Sequence, residues 1–355
     1  MYPNLLLGLL TLLVASAEAG SRLWEVAPTA SHLSHTSHGK RAISIEPSDG
    51  EGTVRLWPEK TLNYAYANRE AEKKLSPILF QARQYWNLLA INGFKYNEIS
   101  LRKCKLYRDE CLVIHYNNRG KLACTVGLPP ANEKIGYYGP DMHLSDDATK
   151  GNLDVYLNAA HELGHAWGLY HVHQNPLHWN INIHNDRWPV KPNRPGDQFS
   201  PDTFHCENLE DYEKVFASLT SETDKGRICS SQALADQHQF SAMEWLPRKN
   251  EGKSADEMFD PESLMLYPSV AGGKGDVVGK EDGRQPILTY IDGKLIPFHK
   301  GPSQADIKKL LTIYGSEYVG TSKLLIAKDS SMRRLVKKVR STMSLRGGDT
   351  QEGLC

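Results

Sequence analysis

The sequence has no excess of either charge: 42 basic residues balance 42 acidic ones, for a formal net charge of zero. A chain held to nucleic acid by phosphate charge needs a basic surplus, so that class is excluded for the chain as a whole. Long apolar runs are missing too. The run LLLGLLTLLV over residues 5–14 is about half of what a bilayer crossing needs, and no other stretch approaches that length. Cysteine is sparse. Six in 355 residues are too few for a small disulfide scaffold, yet enough for a few bridges in a secreted protein. Glycine and proline, 28 and 19, sit near average usage, which excludes collagen-like and low-complexity chains. No Asn-x-Ser/Thr triplet occurs, so N-glycosylation is not expected. What remains is an ordinary globular composition, 40% hydrophobic and 24% charged. The length suits one large domain with extensions, or two modest ones.

Residues 1–19 read as a secretory signal. The short apolar run is followed by ASAEAG, whose Ala-x-Ala patterns end at Ala17 and Ala19, either of which can mark the cleavage point. An uncleaved anchor is the other reading of the same run. With the signal removed, the chain is expected to be extracellular and free of the membrane. Residues 20–41 are polar, contain His32, His35 and His38, and end in Lys40-Arg41, which makes them a candidate pro-segment. Beyond Thr321, eight Lys/Arg stand against three Asp/Glu, a solvated basic tail over 321–355.

Between these ends, the pattern predicts a half-buried strand around Leu62, Tyr64 and Tyr66. A helix is expected to begin near Pro77, carry Ile78, Leu79, Ala82, Tyr85, Trp86 and Leu89 on one face, and end at Asn92-Gly93. Further strands are expected at residues 99–106 and 111–116, then a long looped stretch over 126–152 with a short edge strand around Met142 and Leu144. A helix follows over residues 153–168. Residues 172–260 are loop-rich, with an amphipathic helix near 209–219, and QADIKKLLTIYG reads as a helix stopping at Gly315.

The chemistry is concentrated in HELGHAWGLYH, residues 161–171. Residues four apart share a helix face, so His161 and His165 can point at one ion. Glu162 is turned about 100° around the axis, where its carboxylate reaches beside a metal without ligating it. Gly168 can take positive φ and let the chain turn sharply, returning His171 as a third ligand. Three protein nitrogens leave a zinc ion one open position, as a catalytic site requires. Zinc acidifies a water there, and Glu162 is expected to act as general base and then protonate the leaving amine of a peptide bond. A second stretch, SLMLYP over residues 263–268, puts a flexible thioether, Met265, where a floor beneath the imidazoles is needed. Tyr267 can then serve as a zinc ligand or as a donor to the oxyanion.

On these residues the chain resembles the metzincins, which pair a long zinc helix with a Met-turn. More narrowly it resembles astacin-like metalloendopeptidases of the kind secreted by fungi and other microbes. LWPEKTLNYAYAN with ILFQARQYWN is similar to that family's first strand and helix, HVHQNPLHW to the continuation of its motif, SLMLY to its Met-turn, and DIKKLLTIYG to its C-terminal helix. The resemblance covers residues 52–185 and 260–316 and leaves 186–259 as an insertion within a catalytic domain over 42–320. It implies an α+β fold: a twisted mixed sheet with two long helices in an N-terminal subdomain, an irregular C-terminal subdomain, and an active-site cleft between them. It also implies zinc as cofactor, a protein or peptide substrate, and a sheet edge that pairs with the substrate, expected near Gly139–Ser145. The family's acidic residue after the third histidine is Val172 here, so its pairing with a buried mature N-terminus is not expected. Asp49-Gly50 faintly resembles the family's inhibitory segment but lies downstream of Lys40-Arg41, and the two readings of activation conflict. Cys206 and Cys229 are expected to pair, with two of Cys104, Cys111 and Cys124 forming another bridge. Lys274, Lys280 and Arg284 follow the Met-turn, where they either form a basic pocket wall favouring acidic side chains or are simply solvated. A catalytically silent peptide-binding protein of the same fold, and a pappalysin-like protease with a similar Gly-Leu-x-His ending, are the alternatives. Neither the oligomeric state nor the physiological target is legible.

Overall fold

The computed structural model describes residues 55–129, 138–181, 196–248 and 258–315, with the backbone of two short strands at 44–45 and 253–254. The signal segment 1–19, the candidate pro-segment 20–41 with Lys40-Arg41, Asp49-Gly50, part of the insertion, and the basic tail 321–355 lie outside the described residues. In chain order the elements are β1 (Ser44–Ile45), β2 (Thr61–Tyr66), α1 (Arg69–Tyr85), α2 (Asn87–Ile91), β3 (Lys95–Glu98), α3 (Leu101–Leu106), β4 (Leu112–Tyr116), β5 (Ala123–Cys124), β6 (Asp141–Leu144) and α4 (Val155–Trp167). There follow α5 (Tyr212–Ser218), α6 (Glu222–Lys225), α7 (Gln232–Gln237), β7 (Lys253–Ser254), β8 (Val277–Val278), β9 (Glu281–Asp282) and α8 (Gln304–Gly315), joined by 3-10 turns.

The architecture is mixed α/β. Five strands form one sheet in the order β3-β2-β4-β6-β5, parallel except where β5 runs antiparallel to β6. Parallel strands are normally covered on both faces, and β2 follows that rule rather than the half-buried expectation. Leu62, Tyr64 and Tyr66 face the main core under α1 and α4. On the other face, Ala65 joins Val113, Cys104 and Cys111 in a second small cluster. The edge beside β6 is taken by β5, so Gly139–Ser145 is not the free edge expected from sequence.

Two helix boundaries differ from expectation for local reasons. Helix α1 starts at Arg69, eight residues before Pro77, because Asn68 caps it by accepting a hydrogen bond from the Ala71 N–H at 2.9 Å. Pro77 therefore lies in the helix interior, on its solvent face, where the missing N–H leaves a carbonyl open to solvent and not buried. The helix breaks at Trp86, whose buried indole donates to Ala160 O at 2.9 Å, and α2 resumes after it. Residues 99–106 are not a strand. Strand β3 precedes them, and Ser100 caps α3, which brings Cys104 to bridge Cys111. The strand at 111–116 and the helix ending at Gly315 appear as expected.

The segment expected as an insertion shares the main core: Phe204, Leu209, Phe240, Met243 and Trp245 pack in the same cluster as Trp86 and Leu163. The Cys206–Cys229 bridge closes part of it. No described helix is long and apolar enough to cross a membrane.

Candidate metal centre

Helix α4 opens at Asp154, whose carboxylate accepts from the N–H groups of Tyr156 and Leu157 at 2.8 and 3.1 Å. It closes at Gly168, which adopts φ 113°. That left-handed cap costs glycine nothing and aims the chain back toward the helix. His161 and His165 occupy one face of α4, and the turn returns His171 to them. One ligand atom from each of the three lies within 4.8 Å of the others, the only such group of three or more metal-binding side chains among the described residues. The His171 Nε2 stands 3.2 Å from His161 Nε2 and 2.9 Å from His165 Nε2.

The other nitrogen of each ring is committed to an oxygen. His161 Nδ1 lies 2.8 Å from Leu264 O, His165 Nδ1 2.7 Å from Leu169 O, and His171 Nδ1 3.1 Å from Gln174 Oε1. Carbonyl oxygens only accept, so each Nδ1 is placed to donate, and in the neutral ring the Nε2 lone pair is then turned toward the other two rings. Three lone pairs pointed at one spot repel unless a cation lies between them. Two nitrogens held at about 2.1 Å from a tetrahedral ion stand roughly 3.4 Å apart, close to the separations here. The residues fit a divalent metal ion, and the Nδ1 contacts are the outer partners that metal-binding histidines use to hold ring orientation.

The turn over residues 263–268 ties this cluster to the rest of the molecule. Besides Leu264 O on His161, Met265 O accepts from the N–H of Val172, the residue after the third histidine, at 2.9 Å. Gly164 lies between the two helical ligands, and a Cβ there would meet Met265 Sδ at 2.5 Å and Trp86 Cζ2 at 3.2 Å. The turn is itself held by Asp306 at the start of α8. Its carboxylate accepts from Ser263 Oγ at 2.6 Å, Leu264 N at 2.9 Å and Ser303 N at 3.0 Å. Burial pushes the Asp306 carboxyl up to about 6 despite those three donors. Nearby His299 is held down at about 4 by burial, with Asp260 opposing and His161 adding to the effect.

Glu162 and Tyr267 are each 1% exposed, against 3%, 3% and 2% for His161, His165 and His171. Glu162 lies beside His161 on α4, outside the group of converging ligand atoms. The Tyr267 ring packs 4.2 Å from His171 and 5.6 Å from His161, and is flanked by His173 and Trp245 at 4.6 and 5.1 Å. The three histidines and Tyr267 are thus brought together, with Glu162 buried next to His161 along α4. Of the two readings of the basic residues after residue 268, solvation holds for Lys280, and the three form no common wall. Arg284 is buried against both carboxylate oxygens of Asp282 at 2.9 Å and donates to Gly151 O, while Lys274 pairs with Glu213 and Lys280 is exposed. The pairing of Cys206 with Cys229 is as expected, and the open choice in the first half resolves to Cys104–Cys111. Cys124 is buried in neither bridge.

Compared with known proteins, the chain matches no family model and no curated sequence.

Proposed function

We propose that the protein is a zinc-dependent metalloendopeptidase of the astacin-like metzincin kind, acting on protein or peptide substrates outside the cell. The observation that carries this reading is the convergence of three Nε2 lone pairs, each fixed by an oxygen on its Nδ1, with Glu162 adjacent on the same helix. Borderline-soft imidazole donors in a three-nitrogen set suit zinc, though the donor set alone admits other divalent ions. A zinc ion held there supplies Lewis acidity toward a carbonyl and lowers the pKa of a water.

The protein's own groups do the rest. Glu162, out of contact with bulk water, takes a proton from the attacking water and delivers it to the leaving amine. Tyr267, against His171 and His161, serves as a further ligand or offers its hydroxyl to the developing oxyanion. An extended substrate adds to the sheet beside β5, the antiparallel edge, by backbone pairing. A mostly parallel sheet with α1 and α4 on one face is compatible with the upper half of a metzincin. Two disulfides fit an oxidising compartment.

The test is hydrolysis of a denatured protein by the processed enzyme, with and without a chelator, in wild type and Glu162→Gln. We expect chelator-sensitive cleavage in the wild type. The variant should bind metal normally and lose at least about 10²-fold in kcat. Equal activity in the two proteins, or inertness of both after processing, overturns the reading. Inertness with tight peptide binding would favour a silent binding protein.

A further inference from the structure

Two of the three candidate ligands take their Nδ1 acceptor from the backbone, at Leu264 and Leu169, where the oxygen cannot rotate away. His171 instead relies on a side chain, Gln174, at the end of the turn Val172–Gln174. An amide has an accepting end and a donating end, and only its partners decide which faces which way. The Gln174 Nε2 lies 3.0 Å from Met243 O and 3.3 Å from Leu246 O. Both are carbonyls and can only accept, so the nitrogen must face them and Oε1 must face His171. That forces the proton of His171 onto Nδ1 and leaves Nε2 bare toward the other two rings.

We infer that Gln174 is a positioning residue for the third metal ligand, and that it takes its own orientation from residues 243–246, inside the segment that resembles an insertion. The inference rests on the metal reading above. Further bonds lace the same two stretches together. Arg248 N donates to Gln174 O at 2.9 Å, and His173 Nε2 lies 2.8 Å from Glu244 O. The 241–244 turn is anchored in turn by the buried Asp211 carboxylate, which accepts from Ser241 N at 2.9 Å. Segment 196–248 is thus part of the support for the metal centre and not an appendage beside it.

Two substitutions separate the positioning role from a merely structural one. Gln174→Met nearly conserves volume and removes both the acceptor for His171 and the donor for the carbonyls. Gln174→Glu keeps the acceptor, loses the donor and sets a carboxylate oxygen against the two carbonyls. Zinc affinity is measured by competition with a chromophoric chelator on the full-length secreted protein, alongside the visible spectrum of the cobalt(II)-loaded form and urea unfolding of the metal-free form. The expected result is that Met weakens zinc binding about 10–100-fold and alters the cobalt spectrum. Glu should stay within a few-fold of wild type, although its metal-free form is destabilised about as much as that of Met. The inference is overturned if affinity falls in step with metal-free stability in both variants, or in neither. If wild type binds no zinc, or His171→Ala binds it as tightly as wild type, the metal reading itself fails and takes the inference with it.

Discussion

Asp306 holds a carboxylate where burial disfavours its charge, so its protonation is tied to folding. Its carboxyl rises from about 3.8 to about 6 on burial. Between those values the folded chain binds the proton more tightly than the unfolded one. Stability therefore falls as pH rises from about 4 to about 6 and is level in this respect above that. Two pKa units correspond to roughly 3 kcal/mol at most. Asp306→Asn keeps an acceptor for Leu264 N and Ser303 N and carries no charge, so it should flatten this part of the pH profile. Urea unfolding at pH 4, 5, 6 and 7 measures the slope, and an unchanged slope in the variant would show that another group is responsible. The same residue marks what a sequence can and cannot disclose at this scale. The three converging histidines are legible because spacing along a helix and a glycine turn just after it are local properties, and the side chains are chemically distinctive. The oxygens that orient them are not. Every residue has a carbonyl, so nothing singles out Leu264 or Leu169, and Gln174 and Asp306 read as ordinary members of a turn and a helix until the chain brings them home.

Helix α4 was legible to within a turn because its caps are explicit: Asp154 at one end and Gly168 at the other. The start of α1 is hard to read from sequence because its first two turns are mostly solvated. Only Ala71 and Leu75 are buried there, which leaves Pro77 looking like a start. The stretch 99–106 alternates well enough to suggest a strand, but the Ser100 cap prevails. Inside α4, Gly164 poses a different problem. Glycine costs about 1 kcal/mol relative to alanine in a helix interior, so Gly164→Ala would be stabilising in an isolated helix. Here the added methyl meets Met265 Sδ at 2.5 Å and Trp86 at 3.2 Å, and both side chains are fully buried with little room to retreat. Overpacking of this kind costs about 1–3 kcal/mol. We expect a net loss of stability, together with weaker zinc binding as Met265 is pushed and the turn that holds His161 moves. Shrinking Met265 to Ala in the same chain should recover part of the zinc affinity. A single variant as stable as wild type, with undiminished affinity, would show that the turn yields freely.

At the scale of the molecule, a mixture of strands and helices is legible in the sequence, but the shared core of 196–248 is not. Its hydrogen bonds to His173 and Gln174 span 69 to 72 residues of sequence. Its disulfide gives a way to test whether the distance matters. The two bridges differ in what they hold. Cys104–Cys111 spans 7 residues and lies with Ala65 and Val113 on the sheet face away from α4. Cys206–Cys229 spans 23 and closes the loop that carries Asp211, whose carboxylate holds Ser241 two residues before Met243. On loop-closure entropy alone, removing them costs about 2 and about 3 kcal/mol respectively, a difference too small to be diagnostic. Their effects on metal binding should diverge. Replacing Cys206 and Cys229 by Ser loosens the carbonyls that orient Gln174, so zinc should be held severalfold less tightly even at temperatures where the chain remains folded. Replacing Cys104 and Cys111 by Ser should lower the unfolding temperature and leave zinc affinity where it was. Chelator competition on both double variants, read beside their thermal unfolding, decides the matter. Equal losses of affinity would mean that the metal centre senses only global stability, and that segment 196–248 has no privileged hold on it.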